Sequence, residues 1–156
     1  MKLLFKQRLF SWFDSYDIYD EYERVVFSVE GQLSWGHCLH ILDGKGAHVG
    51  TVKQKVLTFL PRFELYFGEE YAGCITKEFS FFHPNFTVDH NGWSVDGDFW
   101  EWDYRILDGS GGLVATVSKE LFRMTDTYVI DVVDPADALS ALMVVLAIDA
   151  EKDSRN

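Results

Sequence analysis

The chain has 156 residues, of which 47% are hydrophobic and 16% aromatic, so it is able to bury a sizeable core and is not disordered. Its formal net charge of −11 argues against general nucleic-acid binding and against electrostatic adhesion to anionic membranes, although it leaves room for a local basic patch. Two isolated cysteines and an N-terminal apolar run broken by charged residues predict a soluble cytoplasmic protein without a signal peptide.

Residues 1–133 show the pattern of short strands separated by turns. Val25, Phe27 and Val29 alternate with polar residues, as on a strand with one buried face. No linker or low-complexity segment divides the chain, so we expect a single domain over residues 1–156. Turn signals recur at Asp43-Gly44, Asn91-Gly92, Asp108-Gly109 and Gly111-Gly112.

An internal repeat organises these strands. Val29-Glu30-Gly31 returns as Val95-Asp96-Gly97, and Ile41-Leu42-Asp43-Gly44 returns as Ile106-Leu107-Asp108-Gly109. Similar segments in both halves also begin with a lysine, at Lys6, Lys53, Lys77 and Lys119. The repeat predicts two similar β-rich halves, at 1–68 and 69–133, related by a pseudo-twofold axis.

The pattern of residues 134–151 predicts a helix, with Asp134 as N-cap and Pro135 at the first helical position. From Ala138 to Ile148 the only polar side chain is Ser140, so this helix has to be buried on every side. The strictly apolar part would span ~16 Å, about half of a bilayer core, which is too short for a transmembrane segment. The residues expected to form the core of the helix are Leu139, Leu142, Met143, Val145 and Leu146.

A closed barrel around the helix would bury it and would also remove open strand edges, which invite aggregation. At roughly 8 to 12 residues per strand and turn, the chain before the helix allows on the order of a dozen strands. A barrel of that size leaves a lumen that an apolar helix can fill. The predicted fold class is therefore mostly β with one central helix (α+β). The alternative is a β-sandwich with the helix on one side, but such a helix should have a polar outer face.

An ordered series of motifs runs through the chain: FKQRLFSW, YDIYDE, VEGQLSWG, LHILDGKG, VKQKVLTFLPRFELYF, FTVDHNGWSVDGDFWEWDY, ILDGSGG and ALSALMVVLAIDA. In this order the motifs resemble the LURP-one-related family, in particular its bacterial members. The resemblance covers essentially the whole chain. It implies a closed antiparallel barrel of about 12 strands around a central helix, similar to tubby C-terminal domains and phospholipid scramblases.

The resemblance implies lipid-related functions only as alternatives. Tubby domains bind phosphoinositide headgroups through basic residues on the barrel surface, and scramblases are calcium-dependent proteins attached to membranes. We note that the chain lacks the proline-rich N-terminal region and cysteine cluster of scramblases, and a membrane-spanning segment after the helix. Its first hairpin is a poor phosphoinositide surface because it is acidic, with Asp14, Asp17, Asp20, Glu21 and Glu23.

The candidate ligand-binding residues are Lys53, Lys55 and Arg62, a basic group suited to an anionic headgroup. The alternative is that each repeat lysine begins a strand and points outward over aromatic neighbours, scattered around the pseudo-twofold axis.

The motifs predict no metal, no cofactor and no catalytic residue. Cys38 and His40 share a strand face, whereas His37 points the other way, which leaves two ligands where a structural zinc site takes four. The other histidines, His48, His83 and His90, are distant in sequence. The acidic run from Asp96 to Asp103 lacks the order of a calcium loop and is interpreted as a strand with one wet face. Gly109–Gly112 lacks the ending of a phosphate loop.

The sequence thus predicts a non-catalytic binding or scaffold domain, with a lipid headgroup or a protein as partner and no nucleic acid. The first alternative is a domain that binds phospholipid headgroups or has a scramblase-like role at a membrane. The second is an enzyme whose site the motifs do not reveal.

Overall fold

Twelve strands make up most of the described part of the chain. The computed structural model describes residues 1–6, 15–34, 36–79, 84–122 and 125–154. The predicted motif at 7–12 and His83 lie outside these ranges. The strands are β1 Lys2–Lys6, β2 Ser15–Tyr19, β3 Val25–Ser34, β4 Gly36–Asp43, β5 His48–Lys55, β6 Arg62–Phe67, β7 Glu70–Phe79, β8 Pro84–Val88, β9 Ser94–Asp98, β10 Asp103–Leu107, β11 Leu113–Phe122 and β12 Thr125–Val132.

Each strand pairs with its neighbours in sequence, and all of these pairs are antiparallel. The ring closes where β1 pairs with β12, in a register that places Lys2 opposite Asp131 and Lys6 opposite Thr127. The structure therefore confirms the closed antiparallel barrel of about twelve strands, and the β-sandwich alternative is wrong.

The strands have a buried inner face and a wetter outer face, as their alternating residues predict. On β10, Tyr104 and Ile106 are buried, whereas Asp103 and Arg105 are exposed. On β6, Phe63 and Leu65 point into the same core. Because successive side chains point to opposite faces, one apolar residue in two is enough to line the lumen.

The C-terminal helix begins as the sequence predicts. The Asp134 carboxylate accepts a hydrogen bond of 3.0 Å from the backbone N–H of Ala136. A single 3₁₀ turn, Pro135–Asp137, leads into the helix α1, Ala138–Ser154. Residues 141–148 are all buried. Of the five predicted core residues, Leu142, Met143, Val145 and Leu146 are buried, and Leu139 is half-buried.

Gly50 lies where the helix packs against β5. A Cβ atom at this position would lie 2.3 Å from the Met143 side chain and 3.1 Å from a backbone oxygen of Tyr66. Any other residue would therefore push α1 away from β5 or displace a core side chain. The glycine in the middle of β5 is explained by this contact.

Two turns that the predicted repeat relates to each other have the same hydrogen bonds. The Asp43 carboxylate accepts from the backbone N–H groups of Lys45 and Ala47, each at 2.9 Å. The Asp108 carboxylate accepts from Ser110 at 2.9 Å and from Gly112 at 2.8 Å. The backbone bonds lower the pKa of Asp43, and for Asp108 the hydrogen bond from the Ser110 hydroxyl does so first, followed by the backbone bonds. The turns agree with the duplication, which itself stays a prediction.

The helix α1 is both enclosed and short. Within the described ranges, no helix combines the length and apolar character that crossing a bilayer requires.

We expect Leu142→Asp to prevent stable folding, because it would bury an unpaired carboxylate next to the barrel wall, at a cost of several kcal/mol. Val133→Asp is the matched control, since the Val133 side chain is 63% exposed. Thermal unfolding followed by circular dichroism compares the two variants. A Leu142→Asp protein that melts cooperatively near the wild-type temperature would show that the helix is not the core of this fold.

Candidate functional site

The barrel interior is filled by side chains, and the best-formed crevice near its helix is small. This crevice is lined by residues that include Lys77, Phe86, Trp100 and Glu151. Its volume of about 20 Å³ has room for roughly one water molecule. A substrate or cofactor does not fit there.

Lys77 corrects the expectation that all four repeat lysines begin strands and point outward. None of these lysines begins its strand. Lys119 lies within β11, and Lys53 and Lys77 lie near the C-terminal ends of β5 and β7. The Lys77 side chain is buried, and its Nζ lies 3.0 Å from Oε1 of Glu151 on α1. Lys77 follows the buried Ile75 by two residues, so strand periodicity places it inside the barrel. This ion pair joins the helix to β7.

The structure places the three candidate residues Lys53, Lys55 and Arg62 on one outer region of the barrel. Lys53 and Lys55 are exposed on β5, and the half-buried Arg62 lies directly opposite Lys55 on β6. Lys53 lies opposite Glu64. The neighbouring Cys74 raises the pKa of Arg62 further above its ordinary value.

The loop from residue 56 to residue 61 joins these two strands and is the most apolar exposed feature in the described ranges. Leu57 is 101% exposed and Phe59 is 99% exposed. Leu57 also has a positive φ of 61°, which is unfavourable for a leucine. β5 ends at Lys55, so the chain leaves the sheet before Val56. The nearby Pro61 is the one sequence signal for this break.

The described turns carry carboxylates at both ends of the barrel, and the β9–β10 turn, at the same end as the β5–β6 loop, has Asp98, Glu101 and Asp103. In an antiparallel barrel, all turns that follow even-numbered strands lie at the same end, here called the helix-entry end because β12 leads into α1 there. The β5–β6 loop lies at the opposite end. The helix-entry end carries carboxylates at or beside its turns: Asp20, Glu21, Glu23, Asp43, Glu69, Asp89, Asp108 and Asp134.

A hydrogen-bonded histidine pair lies on the outer face of β4 and β5. His40 Nδ1 lies 3.2 Å from His48 Nε2, and the Thr51 hydroxyl lies 2.8 Å from the same His48 nitrogen. His40 Nε2 faces Gln32 and lies 3.8 Å from the sulfur of Cys38. The sequence paired Cys38 with His40 correctly but could not assign His48, which an irregular register between β4 and β5 brings to the same face.

This cluster is not arranged for a metal ion or for nucleophilic catalysis. Nε2 of His40 faces Cys38, whereas Nδ1 of His40 faces His48. A single metal ion bound to His40 therefore cannot also bind both Cys38 and His48. Across the ranges given above, no three acidic, histidine or cysteine residues form a group able to hold a metal. Burial raises the pKa of the Cys38 thiol, which keeps it protonated and a weak nucleophile.

The acidic run from Asp96 to Asp103 forms a hairpin and not the single strand that we predicted. β9 ends at Asp98, whose carboxylate accepts hydrogen bonds from the backbone N–H groups of Trp100 and Glu101. Asp96 forms an ion pair of 2.7 Å with Arg105 on β10. These carboxylates stabilise the hairpin.

Protonation of His40 should destabilise the fold as the pH falls below about 6.5. Burial, together with the neighbouring His48, lowers the pKa of His40 from its ordinary 6.5, so the unfolded chain binds a proton that the folded chain does not. The free energy of unfolding by urea should therefore fall between about pH 7 and about pH 5, and by less in His40→Gln. His90→Gln, at an exposed position, is the control. Equal pH dependence in wild type and His40→Gln would contradict this role.

Comparisons with known proteins agree with this fold. Residues 1–149 match the family described as LURP-one-related. A curated relative, "Uncharacterized protein YxjI" of Bacillus subtilis, is 31% identical over 150 residues, which are 96% of this chain and 92% of the relative. The X-ray structure of a protein from Arabidopsis thaliana has the same fold, with a TM-score of 0.63 at 16% identity, and covers 95% of this chain and 91% of that one.

The family match spans nearly all of the chain, and the curated relative is aligned over almost its full length. The resemblance inferred from the order of motifs is therefore confirmed, whereas the wider link to tubby domains and scramblases stays a prediction. The chain belongs to the LURP-one-related family.

Proposed function

We propose that this protein is a non-catalytic binding domain whose contact surface is the region around the β5–β6 loop. This basic–apolar surface consists of Lys53, Lys55, Arg62, Leu57 and Phe59. The observation that carries the proposal is the full exposure of two large apolar side chains beside three cations, in a chain of net charge −11. Exposed apolar residues that neighbour one another are typical of interaction sites.

The interior of the barrel supports a binding role over an enzymatic one. The crevice beside Lys77 and Glu151 holds about one water, and the two residues are paired with each other. Burial raises the pKa of the Cys38 thiol, which makes it a weak nucleophile. An active site needs a concave pocket with converging polar groups, and the crevice beside Lys77 is too small for one.

A second candidate function is the recognition of an anionic headgroup, and one observation favours it. Lys55 and Arg62 lie directly opposite each other on neighbouring strands. Like charges in this position repel each other, and a bound phosphate between them would relieve the repulsion.

The first test asks whether the Phe59 side chain stabilises the fold or is available for binding. We expect Phe59→Ser to change the free energy of unfolding by less than about 0.5 kcal/mol, because an exposed side chain contributes no packing. Phe63→Ser, at a position that is 1% exposed, should lose about 3 kcal/mol or more. Urea unfolding measures both. A large loss in Phe59→Ser would place Phe59 in the core and remove it from the proposed surface.

The headgroup candidate predicts that inositol trisphosphate binds the wild-type protein and that Lys55→Glu/Arg62→Glu weakens binding roughly tenfold or more. Isothermal titration calorimetry at low and moderate salt measures the affinity. Lys45→Glu is the matched control, because Lys45 is an exposed lysine in a turn at the helix-entry end. If the double variant binds as tightly as the wild type, the headgroup does not use this surface.

A further inference from the structure

We propose that the β5–β6 loop inserts into bilayers that contain anionic lipids. In this arrangement Leu57 and Phe59 enter the boundary between headgroups and acyl chains, and Lys53, Lys55 and Arg62 lie at the level of the headgroups. The inference rests on the proposed function and names its partner as a membrane surface, in place of a soluble headgroup or a protein.

The shape of the loop favours insertion. Leu57 and Phe59 are 101% and 99% exposed, and the neighbouring Val56 is 41% exposed, so the apolar side chains project from the end of a strand pair. A bilayer accepts such side chains without a complementary pocket, since the apolar residues need only reach the acyl boundary.

The backbone conformation at Leu57 supports a role for this residue in binding, because the fold gains nothing from a leucine there. Leu57 has a φ of 61°, a conformation that asparagine or glycine adopts more readily than leucine. Its side chain gains no packing in return, because it is fully exposed. Both the backbone conformation and the exposure therefore disfavour a leucine at this position. Burial of its side chain in a binding partner would offset this cost.

The charge distribution gives the insertion a direction. The net charge of −11 opposes adhesion to an anionic surface in general, as the composition indicates. Carboxylates lie at turns of both ends of the barrel, among them Asp98, Glu101 and Asp103 at the β9–β10 turn, whereas the basic residues of the surface flank the β5–β6 loop itself. An anionic bilayer would therefore attract the protein through the cations beside this loop, and not through a whole end of the barrel.

A bilayer fits this surface better than a protein partner does. Specific protein interfaces bury about 800 Å² on each partner and have a core depleted of charge. The surface described here has a narrow apolar tip with Lys53, Lys55 and Arg62 next to it. Lysine and arginine stems can lie along an apolar region while their charged groups reach phosphates, which is typical of residues at a membrane interface.

Vesicle flotation tests the inference directly. The probes are phosphatidylcholine vesicles with and without phosphatidylglycerol, mixed with the full-length protein at moderate salt. We expect wild type to float with the anionic vesicles only, and Leu57→Ser/Phe59→Ser to reduce the floating fraction severalfold. Tyr22→Ser/Val133→Ser is the matched control, because Tyr22 and Val133 are 72% and 63% exposed at the helix-entry end. This control should float like the wild type.

A single substitution separates insertion from stability. Leu57→Asn removes the apolar tip but suits the positive φ, so it should keep or raise the melting temperature while it reduces flotation. Flotation that Leu57→Ser/Phe59→Ser does not change would overturn the insertion. Wild-type protein that does not float but still binds inositol trisphosphate through Lys55 and Arg62 would also overturn it, and would leave the headgroup function in place.

Discussion

The burial of one helix that is apolar on all sides is the constraint on which this structure depends. Residues 141–148 have no polar side chain and are all shielded from solvent. A flat sheet would cover only one face of such a helix, whereas a closed ring of strands covers every face and also satisfies its own backbone hydrogen bonds. Gly50 and the Lys77–Glu151 pair then fix how the helix sits against β5 and β7. Because the helix occupies the lumen, the binding surface that we propose lies on the outside of the barrel.

The features that could be predicted from the sequence are those that local chemistry determines. The helix start depends on Asp134 and Pro135, which act within one turn of the chain. The turns after Asp43 and Asp108 depend on carboxylates that bond to the next few N–H groups. The closed ring required more, since strand spacing allows on the order of a dozen strands without giving their order. The number of twelve came from the family resemblance, and the structure gives the order.

The features that the sequence did not reveal depend on register and on where a strand ends. His48 joins His40 only because β4 and β5 pair with an irregular register, which no local pattern encodes. Leu57 and Phe59 have the composition of a buried strand, and their exposure follows from the end of β5 at Lys55. Lys77 was predictable from its spacing to Ile75, but its residue type suggested an outward position. The sequence suggested Lys53, Lys55 and Arg62 as a basic group, and its binding role stays a prediction, whereas the exposed apolar neighbours were not predicted.

In this account, the helix and the barrel unfold as one cooperative unit. Native-state hydrogen exchange tests this most directly. The backbone amides of Ala141 to Ile148 should exchange only when the whole protein unfolds, with the same opening free energy as the amides of Ile106 on β10 and Ile130 on β12. Both values should equal the free energy of unfolding measured with urea. Helix amides that exchange with a clearly lower opening free energy than the strands would show that the barrel stands without its helix, which contradicts this account.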